Sequence, residues 1–137
     1  MKKRILISCL LLAAVPGCES KPATTPKSPS QIEVTLEIDF QGRADNLNGD
    51  YKIGEDSTVF ELLQIAQAAN DLRFQHQGSG ETAFIQSFNE VANEKANGSN
   101  WVFMVNQKLS NKGCGSTNIS DGDRVTWKFA DSYRPSE

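Results

Sequence analysis

Ile32-Glu33-Val34-Thr35-Leu36-Glu37-Ile38-Asp39-Phe40 decides the fold. Apolar residues occupy every second position, with Glu, Thr and Asp between them. Side chains alternate across a strand, so this period predicts a strand with one buried and one wet face. Its buried face needs a cover, and Thr58-Val59-Phe60-Glu61 opens one. Thr58 and Glu61 have the spacing of a capping box, in which each side chain serves the other's backbone N–H. Val59, Leu62, Leu63 and Ala66 follow at helical spacing, with Ile65 and Ala69 flanking. The pattern predicts an amphipathic helix of about 12 residues, ending near Asn70 and laid over the face of the first strand.

Between these elements, Gly42 to Gly49 carries the turn residues Asn46, Asn48 and Gly49, and Tyr51–Ile53 reads as a short returning strand. After the helix, Leu72–Gln77 alternates, Gly78-Ser79-Gly80 is a turn, and Ala83–Phe88 is a further strand. Ala92–Asn100 is polar and reads as a loop. Trp101–Val105 is apolar on both faces, as expected of a strand covered on both sides. Val125, Trp127 and Phe129 alternate with polar residues in a final strand. The expected architecture is α+β: a β-grasp-like mixed sheet packed on one main helix.

The N-terminus has a different character. Lys2, Lys3 and Arg4 precede an uncharged, mostly apolar run from Ile5 to Val15, and Pro16-Gly17-Cys18 closes it. Eleven helical residues span about 16 Å, roughly half a bilayer core, so the run is too short to cross a membrane. The arrangement is that of a secretory signal. Val15-Pro16-Gly17-Cys18 resembles the lipobox of bacterial lipoproteins. That resemblance implies cleavage after residue 17, lipidation of Cys18 and membrane attachment through the N-terminal lipid, and so an exported, membrane-anchored location in the cell envelope. Residues 19–30 contain three Pro, no aromatic and no branched aliphatic residue. Such a stretch cannot build a core and is expected to be a disordered tether reaching about 37 Å at most. The expected organisation is a signal peptide at 1–17, a lipidated Cys and tether at 18–30, a domain at 31–130 and a tail at 131–137.

Charge and cysteine content exclude several functions. The chain carries 14 Lys+Arg against 17 Asp+Glu. Loss of residues 1–17 removes three positive charges and leaves a net charge of −6. An acidic body does not suit nucleic acid, which requires a basic face. It is also not drawn to an anionic membrane, so the acyl chains have to do the holding. Of three Cys, Cys9 leaves with the signal and Cys18 is lipidated. Cys114 then has no intrachain disulfide partner.

Trp101-Val102-Phe103-Met104-Val105-Asn106, Gly113-Cys114 and Ile119-Ser120-Asp121-Gly122-Asp123-Arg124-Val125-Thr126-Trp127 form the distinctive part of the chain. They resemble the DUF4430 family, the transcobalamin C-terminal-like domain. In that pattern an aromatic strand ends in Val-Asn-Gly, a Gly-small pair follows, and Gly-Asp leads into a last aromatic strand. Gln107 stands here in place of the usual Gly. The resemblance implies a β-grasp-like fold and a non-enzymatic binding module, with a corrinoid or other small planar molecule as the ligand. In animal cobalamin carriers a separate helical domain supplies the other half of the site, and this chain has no room for one. A corrinoid site here would be half a site.

Each chemically suggestive residue has a plainer role. Asp121-Gly122-Asp123 lacks the further acids and closing Glu of a calcium loop, and reads as a turn. His76 is the only histidine and has no cluster of partners for zinc. Cys114 has no nearby base and reads as a small hydrophobe in a tight turn. No metal site, cofactor or catalytic set is therefore expected. The ligand-contacting candidates are Trp101 and Phe103, which can stack a flat molecule, and Asn106, Gln107 and Asn111 around the polar connection from Gln107 to Ser116. The alternative is a protein-interaction or assembly domain pairing with another envelope protein, for instance through an open strand edge.

Overall fold

A computed structural model describes residues 30–131, together with Gly17. The remaining signal residues, Cys18, the tether at 19–29 and the tail after Asp131 lie outside the described residues. Strand β1 (Gln31–Asp39) pairs antiparallel with β2 (Leu47–Gly54) and parallel with β8 (Arg124–Asp131). Strand β6 (Ser99–Val105) pairs with β8 and with the two-residue β7 (Lys108–Leu109), giving the order β2-β1-β8-β6-β7. A second sheet joins β3 (Phe74–Gln77), β4 (Phe84–Phe88) and β5 (Val91–Ala92). Helix α1 (Val59–Ala68) is the one α-helix among the described residues. Among these residues no helix is long and apolar enough to cross a membrane.

The alternation of β1 is realised: Ile32, Val34, Leu36, Ile38 and Phe40 are all buried. Tyr51 and Ile53 of β2 and Val125, Trp127 and Phe129 of β8 join them. Helix α1 contributes Val59, Phe60, Leu62, Leu63 and Ala66 to the same core. The capping box forms as its spacing requires. Thr58 N–H donates to Glu61 Oε2 at 2.7 Å, and Glu61 N–H donates to Thr58 Oγ1 at 3.3 Å. The helix closes in a Schellman arrangement, with Asp71 N–H to Ala66 O, Asn70 N–H to Gln67 O, and Asn70 at φ +62°.

Three elements differ from the sequence expectation. Leu47–Gly49 belongs to β2, because pairing with β1 runs as far as Ile38 opposite Leu47. Gly49 has a packing reason to be there, since a Cβ would come within 3.2 Å of the Tyr51 ring. The expected loop at 92–100 contains the end of β5, a 3₁₀ turn at Lys95–Asn97 and the start of β6. Strand β6 is not covered on both faces. Trp101 and Phe103 point into the core, while Val102 and Met104 are half-buried on the wet face, opposite Lys128 and Thr126 of β8. Cross-strand contact with those aliphatic stems explains two apolar residues on that face.

Tyr51 ties β2 to the segment after the helix through its hydroxyl, which donates to Asp71 Oδ2 at 2.9 Å. Burial, and then the Asp71 carboxylate, push its phenol from 10.0 up to about 12. The folded state thus favours the neutral phenol. That contribution is fully present below pH 10 and is lost as pH rises through about 12. The urea midpoint should fall across this window, and Tyr51→Phe should flatten the fall. An unchanged slope in the variant would show that another group governs base unfolding.

Candidate functional site: the open edge of strand β6

Strand β7 covers only Met104 and Val105 of β6. Asn106 and Gln107 join the two strands with φ of +52° and +68°, the signature of a type I′ hairpin. Glycine adopts that conformation without strain, which explains why Val-Asn-Gly suits this turn. The Asn106 amide is committed to the fold. Its Nδ2 donates to Asp123 Oδ1 at 2.8 Å, and its Oδ1 accepts from Arg124 N–H at 2.9 Å. Across this contact Asp121-Gly122-Asp123 forms the expected turn. Gly122 is at φ +80° and donates to Glu33 O at 2.8 Å, and Asp121 Oδ1 accepts from Glu33 N–H at 2.8 Å.

N-terminal to the hairpin, the edge of β6 borders an apolar cleft of about 240 Å³. Trp101, Phe103 and Trp127 line it from the five-stranded sheet, Phe84 and Ile85 from β4, and Cys114 from a 3₁₀ turn at Cys114–Ser116. Trp101 and Phe103 are each only 7% exposed, so the cleft meets their margins rather than their open faces. Trp101 is held edge-on to Phe40 and Phe88, at 5.2 and 4.8 Å between centroids, and its Nε1–H donates to Val91 O at 2.8 Å. Phe103 lies 4.8 Å from Trp127. Trp127 Nε1 is a buried donor with no partner among the described residues. Phe84, by contrast, is 60% exposed on the rim. Burial pushes the Cys114 thiol up, and its Sγ lies 3.5 Å from Ala83 O. Lys112 is the one charged residue lining the cleft with it, and no His, Asp or Glu lines it.

A shallower hollow of about 280 Å³ adjoins the hairpin and is lined by Lys108, Asn111, Lys112 and Thr117. The structure thus brings Trp101 and Phe103 to one cleft and Asn111 to its neighbour, while Asn106 and Gln107 line neither. Sequence reasoning missed Phe84 and Lys112. Phe84 lies in the expected strand Ala83–Phe88, but only tertiary packing brings it to β6. A larger hollow of about 650 Å³ behind the helix is lined by Asp45, Asn70, Asp71 and Arg73, and lacks the aromatic wall.

The order β2-β1-β8-β6, with β1 and β8 parallel at the centre and one helix across the inner face, defines an α+β domain of the β-grasp type. More narrowly, the chain belongs to the family described as Domain of unknown function (DUF4430), which matches residues 56–131. The match begins beyond β1 and β2. Several solved structures share the fold. Haptocorrin in complex with Cbi superposes with a TM-score of 0.67 at 14% identity, over 77% of this chain and 26% of that one. The chain therefore spans about a quarter of haptocorrin. A candidate metal-binding protein from Ruminococcus gnavus superposes with a TM-score of 0.58 at 15% identity, over 74% of this chain and 99% of that one. No curated protein matches.

Proposed function

We propose that this chain is an envelope-tethered, non-enzymatic binding module that takes a small planar ligand, such as a corrinoid, at the open edge of β6. The observation that carries this reading is the aromatic-lined cleft beside Trp101 and Phe103. Apolar concavities with a few polar groups are where small ligands bind. The likeness to haptocorrin, solved in complex with Cbi, supports the ligand class. The likeness to a candidate metal-binding protein is not carried over. Among the described residues no group of three or more His, Cys, Asp or Glu is placed to hold an ion.

A single domain covers one side of a corrin and leaves the other wet. Micromolar affinity at best, about −8 kcal/mol, is expected unless a second protein closes the site. Calorimetric titration of the chain lacking residues 1–18 with cobinamide and cobalamin tests this. Absence of both heat and thermal shift at about 1 mM ligand would reject the corrinoid reading.

The envelope tether makes a separate prediction. Labelled fatty acid should appear on the protein in bacterial cells and vanish in Cys18→Ser. Label that persists in the variant would remove the lipoprotein assignment without touching the cleft.

A further inference from the structure

Strand β2 closes the five-stranded sheet at the edge opposite β6 and β7. Just beyond it, Glu55 N–H donates to Ser30 O at 2.9 Å. In an antiparallel pair both backbone groups of a residue point to the same side, and the side alternates along the strand. Leu47, Gly49, Tyr51 and Ile53 therefore turn their N–H and C=O toward β1. The other strand gives the same alternation. Thr35 N–H donates to Asp123 O on the β8 side, so its neighbour Val34, opposite Tyr51, faces β2. Asn48, Asp50 and Lys52 turn their backbone groups outward. All three are exposed, and among the described residues nothing pairs with their N–H or C=O.

An open edge of this kind is a template for another strand, and the residues on this one are complementary to themselves. A two-fold axis perpendicular to the sheet sets two copies of β2 side by side and antiparallel. With the axis at Tyr51, Asp50 of each copy stands opposite Lys52 of the other. Both are outward residues, so each such pair exchanges two N–H···O bonds. Asn48 then stands opposite Gly54 and extends the ladder at each end, where the Gly54 C=O is shared with Ser57 N–H at 3.3 Å.

The side chains select this register. Asp50 and Lys52 lie on the wet face of β2, with Thr35 and Glu33 opposite them on β1. Across the seam the row reads Glu33, Lys52, then Asp50 and Thr35 of the second copy. Acid, base and acid alternate, and Thr35 Oγ1 donates to Asp50 Oδ1 at 2.7 Å. A slip of one residue would set outward backbone groups against inward ones and make no ladder. A slip of two would set Asp50 against Asp50, or Lys52 against Lys52, and like charges directly opposite destabilise a strand pair. Exposed ion pairs contribute little affinity, so the charges choose the register and the backbone ladder does the holding.

We propose that the edge of β2 is a self-association surface, which joins two copies of this chain about a two-fold axis at Tyr51 into one continuous sheet. The cleft beside β6 lies at the other edge of the sheet and stays open in both copies. The inference thus stands apart from the small-ligand reading, and neither depends on the other.

The test uses the full chain in density-matched detergent. Sedimentation equilibrium should show a dimer with a Kd of about 1–100 μM, the weak range suited to a short edge ladder. Amide hydrogen exchange followed by NMR should slow at Asp50 and Lys52 as the protein concentration rises through that Kd. Gly49, Tyr51 and Ile53, whose amides face β1, should exchange at a rate independent of concentration. Asp50→Lys and Lys52→Asp should each weaken the dimer by about tenfold or more, because each sets like charges across the seam. A 1:1 mixture of the two variants should associate within about threefold of the parent, because every pair then joins opposite charges. Thermal melting checks that each variant is folded. Should Lys52→Asp fail to fold, with Glu33 opposite it, exchange in the parent chain decides alone. A chain that stays monomeric up to about 1 mM would overturn the proposal. So would a dimer without added protection at Asp50 and Lys52, or a weakening in folded variants that mixing does not reverse.

Discussion

Phe88→Ala should lower the unfolding free energy by about 3–5 kcal/mol. Phe88 belongs to β4, in the three-stranded sheet, yet its ring is wholly buried against the five-stranded one. It stands edge-on to Trp101 at 4.8 Å and Trp127 at 5.1 Å, and lies 6.2 Å from Phe74 of its own sheet. Truncation removes the transfer energy of the ring and leaves a cavity between two rigid indoles. A domain of this size has a total stability of roughly 5–15 kcal/mol, so the loss would be a large fraction of the whole. Phe84 supplies an internal control. It has the same side chain on the same strand, four residues earlier, but is 60% exposed. Phe84→Ala should change stability by no more than about 0.5 kcal/mol. Urea unfolding of the two variants decides the matter, and equal losses would refute the role of Phe88 as the link between the sheets.

That link also marks where sequence reading stops. The core face of β1, the Thr58–Glu61 cap and the alternation of β8 are written within a few residues, because period and capping are local. The strand character around Phe74 and Phe84 was legible for the same reason. That these strands form a separate sheet, joined to the first through Phe88, depends on pairing across long sequence distances, which local pattern does not encode. Strand β7 is two residues long and leaves no periodic trace. The candidate site divides in the same way. Trp101 and Phe103 were legible as aromatics on an inward face. Phe84 and Lys112 beside them were not, because tertiary packing decides which strand and loop meet at that edge. Asn106 shows the opposite limit. Its place beside the hairpin suggested contact with a ligand, whereas its amide in the fold is bonded to Asp123 and to the Arg124 backbone.

Gly115→Ala should be destabilising by about 3 kcal/mol, the upper end of the range for overpacking. Gly115 lies in the 3₁₀ turn Cys114–Ser116, which packs against a second 3₁₀ turn at Gly80–Thr82. A Cβ at Gly115 would collide with the carbonyl of Gly80, a backbone group that has no rotamer with which to move aside. Its φ is outside the left-handed region, so the cost comes from close approach alone. Neither turn can retreat freely. Ser116 Oγ donates to Glu81 O at 3.3 Å and Cys114 Sγ to Ala83 O at 3.5 Å. Immediately after the turn, the Thr117 carbonyl accepts from Val59 N–H at 3.0 Å, anchoring the start of α1. Separating the turns would disturb the helix and, through Cys114 and Ala83, widen the cleft. Gly113→Ala, two residues away, is the control, because its Cβ would meet only the Glu81 and Ala83 carbonyls at 3.7 and 3.8 Å, ordinary contacts. A loss of about 3 kcal/mol corresponds to a fall of roughly 12–24 °C in Tm for a domain of this size. Gly113→Ala should melt within about 2 °C of the parent, and indistinguishable melting of the two variants would mean that the turns are not in backbone contact.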